Sequence, residues 1–159
     1  MVDSAAVLRA WARALAVTGI VVALDQATKQ IAIRRVGDGG PVDLIFGFKL
    51  SNVRNDGIAF GLLDGAGDAA VIALTLGALS MLVAYFAAHA TRPDMWLAVG
   101  LAVGGALGNL ADRVRIGAAI DFLDPPLWPA FNIADIAIVI GVALLVYAIL
   151  SPELGDSAA

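Results

Sequence analysis

The sequence predicts an all-α membrane protein with four transmembrane helices and a small β-containing loop domain between helices 1 and 2. Composition is the first observation behind this. Hydrophobic residues make up 60% of the 159 residues and charged residues only 15%, against roughly 45–50% and about 25% in soluble domains. The mean hydropathy of +0.88 agrees. The second observation is distribution, because the apolar residues gather in runs that approach the ~20 residues a helix needs to cross a bilayer. A soluble fold this small buries only about two-thirds of its surface, so it would expose much of that apolar excess to water.

In chain order, helix 1 is expected at about 10–28. Its apolar run, 14–24, is short and closely flanked by Arg13 and Asp25. It spans if Arg13 snorkels to one interface and Asp25 sits near the other. Arg9 and Arg13 before an apolar stretch also fit a signal peptide. No small-x-small cleavage site follows, however, since Asp25-Gln26 comes at once, and an uncleaved helix is expected. A loop at about 29–68 comes next, with strands predicted at 43–50 and 57–63 on either side of the polar stretch 51–56. Helix 2, about 69–89, has no Asp, Glu, Lys or Arg. A tight turn leads to helix 3, about 95–112, in which Gly100, Gly104 and Gly108 line one face and suit close packing inside the bundle. A loop at about 113–131 precedes helix 4, about 132–151. Residues 1–152 thus form a single membrane domain, and 153–159 a flexible tail. Both termini and the short turn share one side of the membrane, and the two long loops share the other.

Whole classes of function drop out. The net charge of -4 leaves no basic stripe for nucleic acid. The absence of cysteine excludes disulfides, thiolate metal sites and a cysteine nucleophile. One histidine, His89, permits no HExxH site or His cluster, and it lies at the short-turn end. Ser51 is the only serine on the long-loop side. No Gly-rich phosphate cradle or Asp-x-x-Asp pair suggests a magnesium site. No metal and no cofactor are therefore expected.

What remains is a polar layer on the long-loop side. Asp25 and Lys29 end helix 1; Asn109, Asp112 and Arg113 end helix 3; Asp121 lies in the loop that follows; Asn132 and Asp135 begin helix 4. Ionisable groups at membrane depth cost roughly 2.5–3.5 kcal/mol at a helix centre and persist when paired or functional. Each has a bland explanation. Asp25 and Lys29 are spaced to pair along a helix. Asn132 and Asp135 resemble an N-cap with an acid at N3. The convergence of four distant segments is less well explained this way. Asp121 is embedded in Ala118-Ala119-Ile120-Asp121-Phe122-Leu123, and seventeen uncharged residues follow Asp135. Two carboxylates that share a proton can activate water and protonate a leaving amine.

Four blocks then show a resemblance: Asp25-Gln26-Ala27-Thr28-Lys29; Asn55-Asp56-Gly57-Ile58-Ala59-Phe60; Gly104 to Arg113 leading to Ile120-Asp121-Phe122; and Phe131-Asn132-Ile133-Ala134-Asp135. In this order and spacing the chain resembles the bacterial lipoprotein signal peptidases (signal peptidase II). The resemblance implies an aspartic endopeptidase of the cytoplasmic (inner) membrane. It would cut prolipoproteins just before a cysteine carrying diacylglyceryl, and globomycin would inhibit it. The catalytic pair falls on Asp121 and Asp135. The supporting positions fall on Asp25, Lys29, Asn55, Gly57, Asn109, Asp112, Arg113 and Asn132. The resemblance also places the termini in the cytoplasm and makes the loop domain extracytoplasmic, with the active layer near the outer leaflet. Charge bias read literally gives the opposite orientation, with three Lys or Arg on the termini side and seven on the other. Prolipoprotein and membrane lipid are the expected partners, and one chain carries a whole site, as a monomer would. Ile58 departs from the small residue usual in that block, which bears on loop packing or substrate fit. The competing readings are a proton-coupled transporter, which needs polar groups on both sides of the membrane, and a membrane scaffold using the glycine face.

Overall fold

The computed structural model describes residues 3–37, 39–56, 68–92 and 94–150. Among the described residues, four helices are long and apolar enough to cross a membrane. They are α1 (Ser4–Val36), α2 (Asp68–His89), α3 (Met95–Ile116) and α4 (Ile133–Leu150). The helix α3 is the central one. More than half of its spanning segment is buried, against less than a fifth in the other three, and α1, α2 and α4 all pack against it.

The helix α1 is longer than the sequence suggests. It continues past position 28 to Val36, so Lys29 belongs to the helix and not to the loop. Lys29, expected at the boundary of helix and loop, is buried, and its ammonium pairs with Asp25 one turn earlier. The helix stops at Gly37, whose positive φ of 47° is a conformation that glycine adopts without strain. At ~1.5 Å per residue this helix is about 50 Å long, well beyond a ~30 Å hydrocarbon core.

The loop strands also fall differently. The run 43–50 is not one strand. It is broken into β1 (Val42–Asp43), a 3-10 turn at Ile45–Gly47 and the start of β2 (Lys49–Asn55). Phe46 and Gly47 both have positive φ, which turns the chain back on itself. The polar stretch expected to link two strands is itself strand, because β2 is a solvent-facing middle strand with most side chains exposed. The second expected strand, 57–63, lies outside the described residues, as does the tail. The third strand, β3 (Ala119–Asp124), comes from the connection between α3 and α4. The sheet order is β1-β2-β3, antiparallel, with Val53 opposite Asp121 and Asn55 opposite Ala119. A loop between helices 1 and 2 therefore makes only part of this layer.

The bundle has two different cores. At the end nearer the termini, Ala10, Ala14, Phe86, Ala90, Met95 and Val99 form an apolar cluster, with Trp11 packed edge-on against Phe86. At the other end a polar cluster is buried among residues such as Ala32, Ile120, Phe122 and Ala134: Asp25, Lys29, Asn109, Asp112, Asp121 and Asn132. Small residues bring the helices close enough for these groups to meet. A Cβ at Gly100 or Gly104 would lie 2.8 Å from Cβ of Val17 or Val21, so this glycine face packs internally against α1. A Cβ at Gly105 would collide with the carbonyl oxygen of Ala134 on α4. Gly105→Ala is therefore expected to destabilise by about 1–3 kcal/mol through overpacking. Gly77→Ala, at a position with nothing within 4 Å, should be neutral or slightly stabilising. Thermal unfolding of the two variants in one detergent compares them directly.

Candidate active site

Asp121 sits in β3 and Asp135 in the first turn of α4, and every oxygen of the two carboxylates accepts a hydrogen bond. Asp121 Oδ1 accepts from Asn132 Nδ2 at 2.6 Å, and Oδ2 from Asn55 Nδ2 at 2.9 Å. Asp135 Oδ1 accepts from Asn109 Nδ2 at 2.8 Å, and Oδ2 from the backbone N–H of Asn132 at 3.1 Å. Asn132 thus touches both carboxylates. It is at the same time the N-cap of α4. Its Oδ1 accepts from Asp135 N–H at 3.0 Å, so it and Asp135 form a reciprocal capping box. The local helix start and the link between the two carboxylates through Asn132 are one arrangement.

Behind this pair lies a charge cluster. Lys29 is 1% exposed, and Asp25 and Asp112 are fully buried. The Lys29 ammonium donates to Asp25 Oδ2 (2.8 Å), Asp112 Oδ2 (2.7 Å) and Asn109 Oδ1 (2.9 Å). Its three donors are thereby used. Asp25 Oδ1 accepts from Ala134 N–H at 3.1 Å, so a carboxylate on α1 satisfies an otherwise free donor at the start of α4. Gly108 makes room for this, since a Cβ there would lie 2.6 Å from Asp25 Oδ2. Asp112 Oδ1 pairs with the half-exposed Arg115 at 2.6 Å. Two carboxylates and two cations leave the cluster neutral.

Gln26 and Arg115 are the residues that sequence reasoning did not single out. Gln26 Nε2 donates to Asp25, to Asp112 and to the carbonyl of Gly108, and its Oε1 accepts from Arg115. Together they close the outer side of the cluster. The i,i+3 spacing of Asp112 and Arg115 was an available signal. Arg113 lines the cavity described next. Gly57 lies outside the described residues. Every other supporting residue predicted from sequence contributes to the network or to this cavity.

A cavity of about 580 Å³ opens over the pair. Asn55, Asn109, Asp121 and Asp135 face it at one end. Its walls are apolar, with Val71 of α2, Ala106 of α3, and Ile136, Val139 and Ile140 of α4. Ile136, Val139 and Ile140 are exposed on the outer face of the bundle, so the cavity is continuous with the surface that meets lipid. Burial pushes the Asp121 carboxyl up to about 6, the neighbouring charge of Asp135 adds to this, and the hydrogen bonds from Asn55 and Asn132 oppose it. Among the described residues no group of three or more His, Asp or Glu side chains is arranged to hold a metal ion.

Paired carboxylates at the head of a lipid-facing cavity, on a four-helix frame, describe a polytopic membrane enzyme. A solved structure of a bacterial membrane enzyme, obtained in meso at 2.3 Å, shares this fold, with a TM-score of 0.81 and 32% identity over 92% of each chain. The sequence model of signal peptidase II matches residues 17–151, and the chain belongs to that family. The lipoprotein signal peptidase of Pelotomaculum thermopropionicum is 40% identical over 85% of this chain and 90% of its own length. That of Moorella thermoacetica is 41% identical over 84% and 89%.

Two outcomes are expected from this geometry. Lys29→Met would leave Asp25 and Asp112 buried without their central cation and should cost roughly 3–5 kcal/mol, read as a large fall in thermal stability. Asp121 holds its proton more tightly in the folded state (about 6) than at the ordinary value of 3.8. Stability should therefore fall as pH rises from about 4 to about 6. In Asp121→Asn that slope should flatten, which melting curves across this range would record.

Proposed function

We propose that the chain is an intramembrane aspartic endopeptidase that removes signal peptides from prolipoproteins, cutting on the N-terminal side of a diacylglyceryl-modified cysteine. The observation that carries this reading is the pairing of Asp121 and Asp135 through Asn132, at the polar end of a cavity whose walls face lipid.

In this reading the pair holds one proton. The ionised carboxylate takes a proton from water, and the resulting hydroxide attacks the scissile carbonyl. The protonated carboxyl polarises that carbonyl and neutralises the developing oxyanion. Collapse of the tetrahedral intermediate breaks the C–N bond, with a proton passed to the leaving amine of the modified cysteine. The proton belongs to the pair rather than to one member, because such carboxylates titrate jointly. Asn109 and Asn132 hold Asp135, and Asn55 and Asn132 hold Asp121, so neither has to reorient as charge moves. Asn55 brings the end of β2 over the site, and Arg113 faces the cavity where a substrate backbone would lie. Diacylglyceryl tails would remain in the bilayer beside Val139 and Ile140, so the substrate need not leave the membrane.

The same proposal puts both termini in the cytoplasm and the dyad near the outer leaflet. It makes the active species a monomer, since one chain supplies every partner of both carboxylates, and it makes a globomycin-type cyclic peptide an inhibitor. The test is cleavage of a diacylglyceryl-modified prolipopeptide by the purified protein in detergent. Asp121→Asn and Asp135→Asn should each lower turnover by roughly 10²–10⁴-fold while substrate still binds, and chelator should have no effect. Full activity in either variant, or cleavage elsewhere than before the modified cysteine, would overturn the assignment.

A further inference from the structure

The end of the bundle away from the carboxylate pair carries a second pocket, of about 280 Å³, between the start of α1 and the turn joining α2 to α3. Three arginines line it: Arg9 and Arg13, one turn apart on α1, and Arg92 in the turn. Thr91, Asp94 and Trp96 complete its polar and aromatic lining. The small side chains of Ala10 and Ala90 leave room between the helices.

The charges in this pocket are not balanced. Arg9 reaches Asp3 at 3.4 Å, with both side chains largely exposed. Arg13 lies over the face of Trp96, 5.6 Å from the ring centroid. Among the described residues no carboxylate forms an ion pair with Arg13 or Arg92. Asp94 is the one carboxylate lining the pocket, against three guanidinium groups. Asp94 also precedes α3 without a side-chain cap, so the positive end of that helix points the same way. A guanidinium presents a planar fork of donors that matches phosphate oxygens in pairs.

Depth decides which phosphate. The apolar cluster of Ala14, Phe86, Met95 and Val99 begins directly beneath the pocket. Trp11, Tyr85 and Trp96 pack, partly buried, against this cluster, and Trp and Tyr are enriched at the headgroup layer. Leu15, on α1 just inward of Arg13, is well exposed, as an acyl chain would require. We propose that this pocket binds the phosphodiester headgroup of an anionic phospholipid, in the leaflet on the side of the chain termini. Basic pockets between membrane helices serve this purpose elsewhere. The inference rests on the four helices crossing a bilayer and is independent of the peptidase reading.

The test uses the full chain in nanodiscs of phosphatidylcholine with increasing phosphatidylglycerol, and native mass spectrometry to count retained lipid. Wild type should retain one phosphatidylglycerol in preference to phosphatidylcholine. Arg92→Gln should weaken that preference about fivefold, and Arg9→Gln/Arg13→Gln/Arg92→Gln about a hundredfold. Arg34→Gln/Arg35→Gln, which removes exposed cations from the far end of α1, should leave it unchanged. Equal retention by wild type and Arg92→Gln would overturn the proposal, as would equal loss in the Arg34/Arg35 control. Inorganic phosphate protecting the protein as well as the lipid does, at matched concentration, would overturn the lipid assignment in favour of a free anion.

Discussion

The orientation of the paired carboxylates traces back to one buried ammonium group. Lys29 donates to Asn109 Oδ1, which decides which way that amide faces. With its oxygen turned toward Lys29, Asn109 must present its NH₂ to Asp135. Asn132 Nδ2 donates to the same Asn109 oxygen and to Asp121. A point charge on α1 thus fixes two amides, and the amides fix two carboxylates on two other elements. The ammonium is held in turn by Asp25 and Asp112, whose remaining oxygens are taken by α4's backbone and by Arg115 and Gln26. In a low-dielectric setting such a network is valuable only when every member is satisfied.

That constraint explains the placing of the small residues. Polar groups from α1, α3 and α4 meet within hydrogen-bond distance because the helix backbones approach closely at Gly104, Gly105, Gly108 and Ala134. The helices are otherwise apolar, and in lipid there is little hydrophobic drive to bring one against another. Close packing and the buried polar end therefore act together. The glycines permit the approach, and the ion pairs and caps select the register in which Asp25, Lys29, Asn109, Asp112 and Asn132 meet their partners.

Much of this was legible in the sequence. Apolar runs located four helices, and the Asp and Asn residues beside them are those that the structure joins in one polar network. Reading Asn132 and Asp135 as a helix cap was correct, and so was reading Asp25 and Lys29 as a helical pair. What a linear pattern does not reveal is that these same contacts also serve the site. Lys29 falls at the expected boundary of helix 1 and the loop, and the sequence does not show its bridge to Asp112, which is far away in the chain. The sheet was harder still. A polar middle strand such as β2 has no alternating apolar signature, and the partner strand, β3, sits in a different loop. Gln26 is hard to read because its partners on α3 are far away in the chain, whereas the i,i+3 spacing of Asp112 and Arg115 is a local signal.

The charge cluster bears on how the chain enters the membrane as it is made. Asp25 and Lys29 are partners within α1, and Asp112 and Arg115 are partners within α3. Lys29 therefore has a counter-charge within α1, and Asp112 one within α3, before the two helices meet. The bridge between Lys29 and Asp112 joins two segments already compensated, so neither must wait beside the ribosome with a bare charge in lipid. An insertion intermediate with α1 alone in the bilayer is thereby spared the cost of an unpaired lysine. Packing of α3 against α1 adds the Lys29–Asp112 bridge to two pairs that are both kept, and is not the rescue of an exposed ion.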